Sequence, residues 1–254
     1  MMTNTNKTLN SWKYEPENTV LTIEQLTIIE EQSVDLLVNN STLLTFFCSP
    51  IDLEALTLGF LWNEGIISDL SEVKNLCISS DMARIEVSLF SPIDGHQSLI
   101  RTSTGMTIIR ELEKSQINNS FTINPEMLIK LYDEFSAKQK LHQVAGGYHS
   151  AALSDGERIN IITEDLGRHN CLDKISGTFL LEGKPFVPQI ILLSGRISSE
   201  MIHKAMKLTA PIIATRTTPT VKAIEIAETY GVSIVGYLRG KQFSVFSFPE
   251  RIQF

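Results

Sequence analysis

Four polar clusters interrupt the apolar pattern of the second half of the chain: GGYHSA (146–151), EDLGRHN (164–170), SGRISSE (194–200) and ATRTTPT (214–220). The last three each follow a short apolar run and precede a helical one. In an α/β layer that order brings Arg168, Arg196 and Arg216 to one end of the sheet, where backbone N–H groups and helix N-termini already favour anions. Three guanidiniums on one rim suit a phosphate-rich ligand. Gly167 and Gly195 have no Cβ and let backbone amides come close to a phosphate, although neither loop fits a Walker or Rossmann pattern. Gly147, Asp165 and Ser194 lie in the same clusters and join the candidate binding set. His149 and His169 also belong to it, since imidazole can hydrogen-bond a phosphate, a pterin or a carboxylate at neutral pH. His96, His142 and His203 lack such surroundings. The competing reading is three capping loops whose arginines pair with Glu164, Asp165 or Glu200 at the surface; convergence of the loops on one edge favours the ligand.

The cysteines point away from metal and disulfide chemistry. Cys48, Cys77 and Cys171 are an odd number with no CxxC spacing, in a chain expected to stay in a reducing compartment. A zinc deaminase would need an HxE segment and a PCxxC segment, whereas the candidate histidine here lies in YHSA and no paired cysteines follow, so no zinc site is expected. As a nucleophile, Cys48 is the best internal candidate, because it ends a strand-like run just before a helix whose dipole could lower the thiol pKa. Cys77 falls in a strand-like run and Cys171 in a helix expected to be packed.

The elements that must hold these residues divide the chain into three parts. Residues 1–19 read as a disordered, solvated tail, with neither a signal peptide nor an anchor behind the few charges. Residues 20–120 read as a small α+β domain. In it DLLVNNSTLLTFFC is a hairpin closed around Asn39 and Asn40, which tolerate positive φ. It is followed by an amphipathic helix in SPIDLEALTLGFLWNEGII, with Ser49 as cap, Pro50 at its first position, Asp52 completing a capping box and Gly65 as its stop. Leu53, Leu56, Thr57, Phe60 and Leu61 share one face of that helix. The strand-like runs of 73–103 then complete an antiparallel sheet.

Residues 121–254 read as an α/β sandwich. A helix capped by Asn124 and opened by Pro125 leads into two strands around the turn SDGE, and helices then alternate with QIILLS, PIIAT and VSIVGYL. With 254 residues, 43% of them hydrophobic, the chain can bury a substantial core. A net charge of −7 gives no general attraction to nucleic acid or anionic lipid, and no apolar run approaches the roughly 20 residues that cross a bilayer. A cytoplasmic protein with a small-molecule or protein partner is expected.

The segments GGYHSAAL, EDLGRHNCLDK, LLSGRISSEM and GYLRGKQFSVFSFPERI, with SPIDLEALTLGFLWNEGII before them, resemble the successive signatures of the FdhD/NarQ family. The likeness runs in order from about residue 36 to the C-terminus. It implies a small N-terminal α+β domain and a C-terminal domain of cytidine-deaminase-like fold lacking the zinc site. It also implies a homodimer that binds the molybdenum cofactor in its bis-molybdopterin guanine dinucleotide form, for which GDP is a partial mimic. Such proteins pass sulfur from a cysteine desulfurase to that cofactor before it enters formate dehydrogenase or a related molybdoenzyme.

The family's C-terminal cofactor segment falls on Phe243, Ser244, Val245, Phe246, Ser247 and Phe248, an alternating run that without the resemblance reads as an edge strand. The family's cysteine loop falls on RTSTGMTIIREL, with Thr104 and Thr107 at the two cysteine positions. Threonine cannot hold a persulfide. The readings that follow are a cofactor-binding chaperone without persulfide chemistry of its own, or a sulfurtransferase working through Cys48 or through a partner's cysteine. A nucleotide hydrolase is a third class, unsupported by any positioned nucleophile and base.

Overall fold

The computed structural model describes residues 6–17, 20–92, 99–102, 105–108, 116–117 and 120–254. β1 (Asn6–Lys13) and β2 (Thr22–Ile29) pair along their whole length as an antiparallel ribbon. Over 6–13 a strand thus stands where the sequence reading expects a disordered tail, and most of the ribbon's side chains are solvated; residues 1–5 and 18–19 of that expected tail lie outside the described residues. Cross-strand pairs of strand-favouring residues, Leu9 with Leu26 and Trp12 with Ile23, supply the reason.

β3 (Gln32–Val38), β4 (Ser41–Cys48), β5 (Val73–Ile78) and β6 (Arg84–Leu89) form a four-stranded sheet in the order β4-β3-β6-β5. The hairpin turn is as expected, with Asn39 and Asn40 at φ of 49° and 67°. The sheet is mixed, however, because β3 and β6 run parallel. β7 (Leu99–Thr102) and β8 (Gly105–Ile108) make a separate hairpin that sets Thr107 opposite Ile100, while Thr104 lies outside the described residues.

α1 (Leu53–Asn63) begins later than its sequence signals indicate. Its cap position is Asp52, at φ 50° and with no side-chain capping bond. Ser49 is taken elsewhere: its N–H donates to Asp165 Oδ2 at 3.1 Å and its hydroxyl accepts from the Leu166 N–H at 3.2 Å. A long-range demand has displaced the local cap. Nor is α1 amphipathic: nine of its eleven residues are buried, as in a helix enclosed on all sides. Gly65, at φ 66°, follows its end as expected.

The second half supplies α2 (Pro125–Ala137), capped as expected by Asn124 accepting from the Glu126 N–H, and the short α3 (Lys140–Ala145). Then come β9 (His149–Ser154), β10 (Ile159–Asp165), α4 (Arg168–Leu181), β11 (Ile190–Leu193), α5 (Ser199–Lys207), β12 (Ile212–Thr215), α6 (Val221–Tyr230), β13 (Ser233–Arg239) and β14 (Gln242–Val245). Their strands form one sheet in the order β10-β9-β11-β12-β13-β14. β9 is antiparallel to both β10 and β11, and β11, β12 and β13 are parallel. The C-terminal ends of β10, β11 and β12 therefore share one edge.

The fold is mixed α/β, with six α-helices among the described residues. One face of the large sheet packs on Leu128, Leu131, Tyr132 and Phe135 of α2. The other belongs to a single apolar core running from Val34 of β3 through α1, α4, α5 and α6 to Ile234 of β13. α1 crosses α4 at glycines: a Cβ on Gly59 would lie 1.8 Å from the Asp173 carbonyl oxygen, and one on Gly177 would lie 1.9 Å from that of Ala55. Only hydrogen fits between these backbones. Among the described residues no helix is long and apolar enough to cross a membrane.

Candidate functional site

At the end of β10 the chain turns into α4 around a wholly buried carboxylate. Asp165 Oδ2 meets Lys174 Nζ at 2.6 Å and the Ser49 N–H, while Oδ1 accepts from the Gly167 N–H and from Asn170 Nδ2, both at 2.8 Å. All of these partners lie inside the protein and Asp165 is wholly buried, so its carboxylate fixes the first turn of α4. The carboxylate holds that turn from within, which leaves the Gly167 side of the loop outward.

Arg168 is the first helical residue, and its Nε is buried with no hydrogen-bond partner. Burial, and then the nearby Arg196 guanidinium, hold its pKa below the usual arginine value. His169 Nε2 lies 2.9 Å from Glu200 Oε2 and 3.3 Å from Ser198 Oγ. Burial pushes the His169 pKa down while the bond to Glu200 opposes it.

β11 is followed by Ser194, whose hydroxyl accepts from the Ser150 N–H at 2.9 Å and lies 3.3 Å from His149 Nδ1. A Cβ on Gly195 would stand 3.1 Å from that same nitrogen and 3.3 Å from Arg168 Cδ. The missing side chain thus lets the β10, β9 and β11 ends close together. Burial first, then Arg168, lowers the His149 pKa, which leaves a neutral imidazole at neutral pH.

Arg216 follows β12 with its side chain exposed. Its N–H donates to the Tyr132 hydroxyl at 3.0 Å, and that hydroxyl donates to the Leu193 carbonyl at 2.8 Å, bridging β11 and β12 where their ladder stops. Arg239 Nε donates to the Arg216 carbonyl at 2.8 Å, and Thr215 Oγ1 donates to the Gly195 carbonyl at 2.6 Å. The geometry therefore adds Tyr132, Thr215 and Arg239 to the residues found from the sequence. In the sequence Tyr132 carries no signal beyond its place in the helix opened by Pro125. Arg239, in GYLRG, carries no loop signal of its own.

The remaining candidates are placed differently. A Cβ on Gly147 would meet Ile29 Cδ1 at 2.3 Å, so this glycine seats β2 against the segment leading into β9. Phe243, Ser244 and Val245 lie on the edge strand β14, and Phe246 follows it against Gly236. Ser247 is buried, its hydroxyl donating to the Val232 carbonyl and accepting from the Ile234 N–H, and the Phe248 carbonyl accepts from Ser233 Oγ. These two stand beside the start of β13, opposite the arginine edge, and the structure does not bring them to it.

Cys48 is buried, and burial followed by the Asp165 carboxylate pushes its thiol up to about 12. The expected activation by a helix dipole is thereby corrected, since α1 starts five residues later and the thiol sits in an apolar core. Cys171 is likewise buried and its pKa raised well above the usual value, whereas Cys77 is exposed on β5. Among the described residues no group of three or more His, Cys, Asp or Glu side chains could hold a metal ion.

Residues 29–253 match the sequence pattern of the FdhD/NarQ family. The chain is 31% identical over 252 residues, 95% of each chain, to the sulfur carrier protein FdhD of Bacillus subtilis strain 168. It is 37% identical over 232 residues to that of Sulfolobus acidocaldarius, covering 87% of this chain and 89% of the relative. A solved structure from Desulfotalea psychrophila, described as a formate dehydrogenase accessory protein, shares the fold, with a TM-score of 0.82 at 24% identity over 98% of this chain and 100% of that one.

Proposed function

Since the chain belongs to the FdhD/NarQ family, we propose that it is an accessory protein of formate dehydrogenase or a related molybdoenzyme, binding the molybdenum cofactor as its bis-guanine dinucleotide at the arginine edge. The observation that carries this reading is the unpartnered buried Nε of Arg168 on an edge shared with Arg196, Arg216 and Arg239. A desolvated guanidinium N–H without an acceptor is costly, and a phosphate oxygen is the acceptor it suits best. In this arrangement Arg168, Arg196 and Arg216 hold the phosphates of the guanine dinucleotide, and the neutral His149 offers a hydrogen bond without adding charge. When bound, the cofactor supplies the molybdenum centre that is being matured or delivered.

Relatives of this chain carry the name sulfur carrier, yet on the resemblance to the family its cysteine loop falls on Thr104 and Thr107. Their hydroxyls, and the buried, protonated Cys48 and Cys171, favour a role in holding and handing over the cofactor while sulfur arrives on another protein. The exposure of Cys77 supports a second reading, an active sulfurtransferase that accepts sulfur there from a cysteine desulfurase.

Calorimetry with GDP tests the site. Arg168→Ala and Arg196→Ala should each weaken binding about ten- to a hundredfold, corresponding to about 1.5 to 3 kcal/mol per charge-assisted contact. Unchanged affinity in both variants would remove the arginine edge from the cofactor's path.

A further inference from the structure

Beside the arginine edge the chain holds an aromatic residue in a conformation that aromatic residues avoid. Tyr237 has a φ of 54°. This is the left-handed region, where a bulky side chain is a genuine outlier and where strain concentrates at ligand clamps. The pairing of β13 with β14 shifts register between Gly236 and Arg239, so Tyr237 lies in a bulge. Bulges next to functional sites re-aim side chains. The re-aimed ring is not packed away: Tyr237 remains 47% exposed.

Its neighbours keep the ring in that position. The Tyr237 N–H donates to the Thr217 carbonyl at 2.8 Å, tying the bulge to the residue after Arg216. Its ring rests against Phe246, with centroids 6.1 Å apart and planes at 51°. Phe246 can occupy this place only because residue 236 is glycine, whose Cβ would come within 2.8 Å of the Phe246 ring. Two residues on, Arg239 donates to the Arg216 carbonyl. An exposed, buttressed ring is thus joined through the backbone to two guanidiniums of the edge. A bulge alone would be met by glycine or asparagine, which adopt the left-handed region with little strain.

We propose that Tyr237 is the stacking platform for the guanine ring of the nucleotide whose phosphates the arginine edge holds. The inference rests on the proposed function and adds a determinant of base preference to it. An aromatic face contributes dispersion and offset stacking to a planar base, and none to a bare phosphate. Phe246 leans on one side of the ring and holds its orientation in the absence of ligand.

The test compares GDP with inorganic pyrophosphate on the full chain by calorimetry. Tyr237→Ala should weaken GDP about tenfold while leaving pyrophosphate affinity unchanged, and Tyr237→Phe should keep GDP within about twofold. Tyr237→Asn removes the ring yet tolerates the left-handed backbone. It should lose GDP as the alanine variant does, with a thermal midpoint no lower than the wild type. That result separates loss of stacking from loss of folding. Equal GDP affinity in wild type, Ala and Asn variants, or a parallel fall for pyrophosphate, overturns the platform and leaves the arginine edge standing. A wild-type chain that binds neither ligand overturns the edge itself, and the platform with it.

Discussion

The Cys48 thiol stays protonated throughout the physiological range because the protein interior, and then a neighbouring carboxylate, oppose its ionisation. Native protein treated with iodoacetamide near neutral pH should therefore be labelled on Cys77 before Cys48 or Cys171, a ranking read directly by peptide mass spectrometry. After incubation with a cysteine desulfurase and cysteine, Cys48→Ala should change sulfur uptake by nothing measurable. Uptake abolished by that substitution would restore Cys48 as the carrier. The end of the strand was legible in TLLTFFC, but its depth was not, since depth depends on α1 and α4 closing over β4. The same holds for Asp165. Its loop was found from EDLGRHN, whereas its role follows from Ser49 and Lys174, 116 residues before it and nine after it in the chain.

Among the elements, the crossing of α1 and α4 is the most sharply constrained. Gly177→Ala would drive a methyl group into the Ala55 carbonyl, a backbone atom that cannot swing aside. A loss of about 3 kcal/mol is expected, at the upper end of the usual overpacking range, and urea unfolding of Gly177→Ala should show it as a lowered midpoint. A shift below about 0.5 kcal/mol would mean that the two helices stand further apart than described. Apart from α3, hydrophobic periodicity and turn residues locate the strands and helices of the second half, and three of its loops, because each depends on local pattern. The capping signals before α1 misled because Ser49 serves a distant carboxylate. Tyr132, Thr215 and Tyr237 stayed hidden for a related reason: each acts by bonding or leaning across strands that meet only in the folded sheet.

At the scale of the whole molecule, the four-stranded and six-stranded sheets fall on either side of residue 120 and are joined through the buried Asp165–Lys174 pair, whose Lys174 Nζ also donates to the Ser49 carbonyl at 3.3 Å. Lys174→Met leaves Asp165 buried without its countercharge and should cost about 3 to 5 kcal/mol in chemical unfolding. Adding Asp165→Asn to Lys174→Met should cost less than the sum of the two single changes, since both belong to one network. Strict additivity would show that the pair does not couple the halves. The position of α1 has a consequence for synthesis on the ribosome. Its apolar surface is completed at Asn63, but the helix that covers much of it begins only at Arg168, 105 residues later by 168 minus 63. At about 5 to 20 residues per second, the nascent chain carries that uncovered helix for on the order of 5 to 20 s. Over that interval the first half is an incomplete body in search of cover, and a chain stalled or truncated before α4 presents the surface that chaperones and proteases recognise.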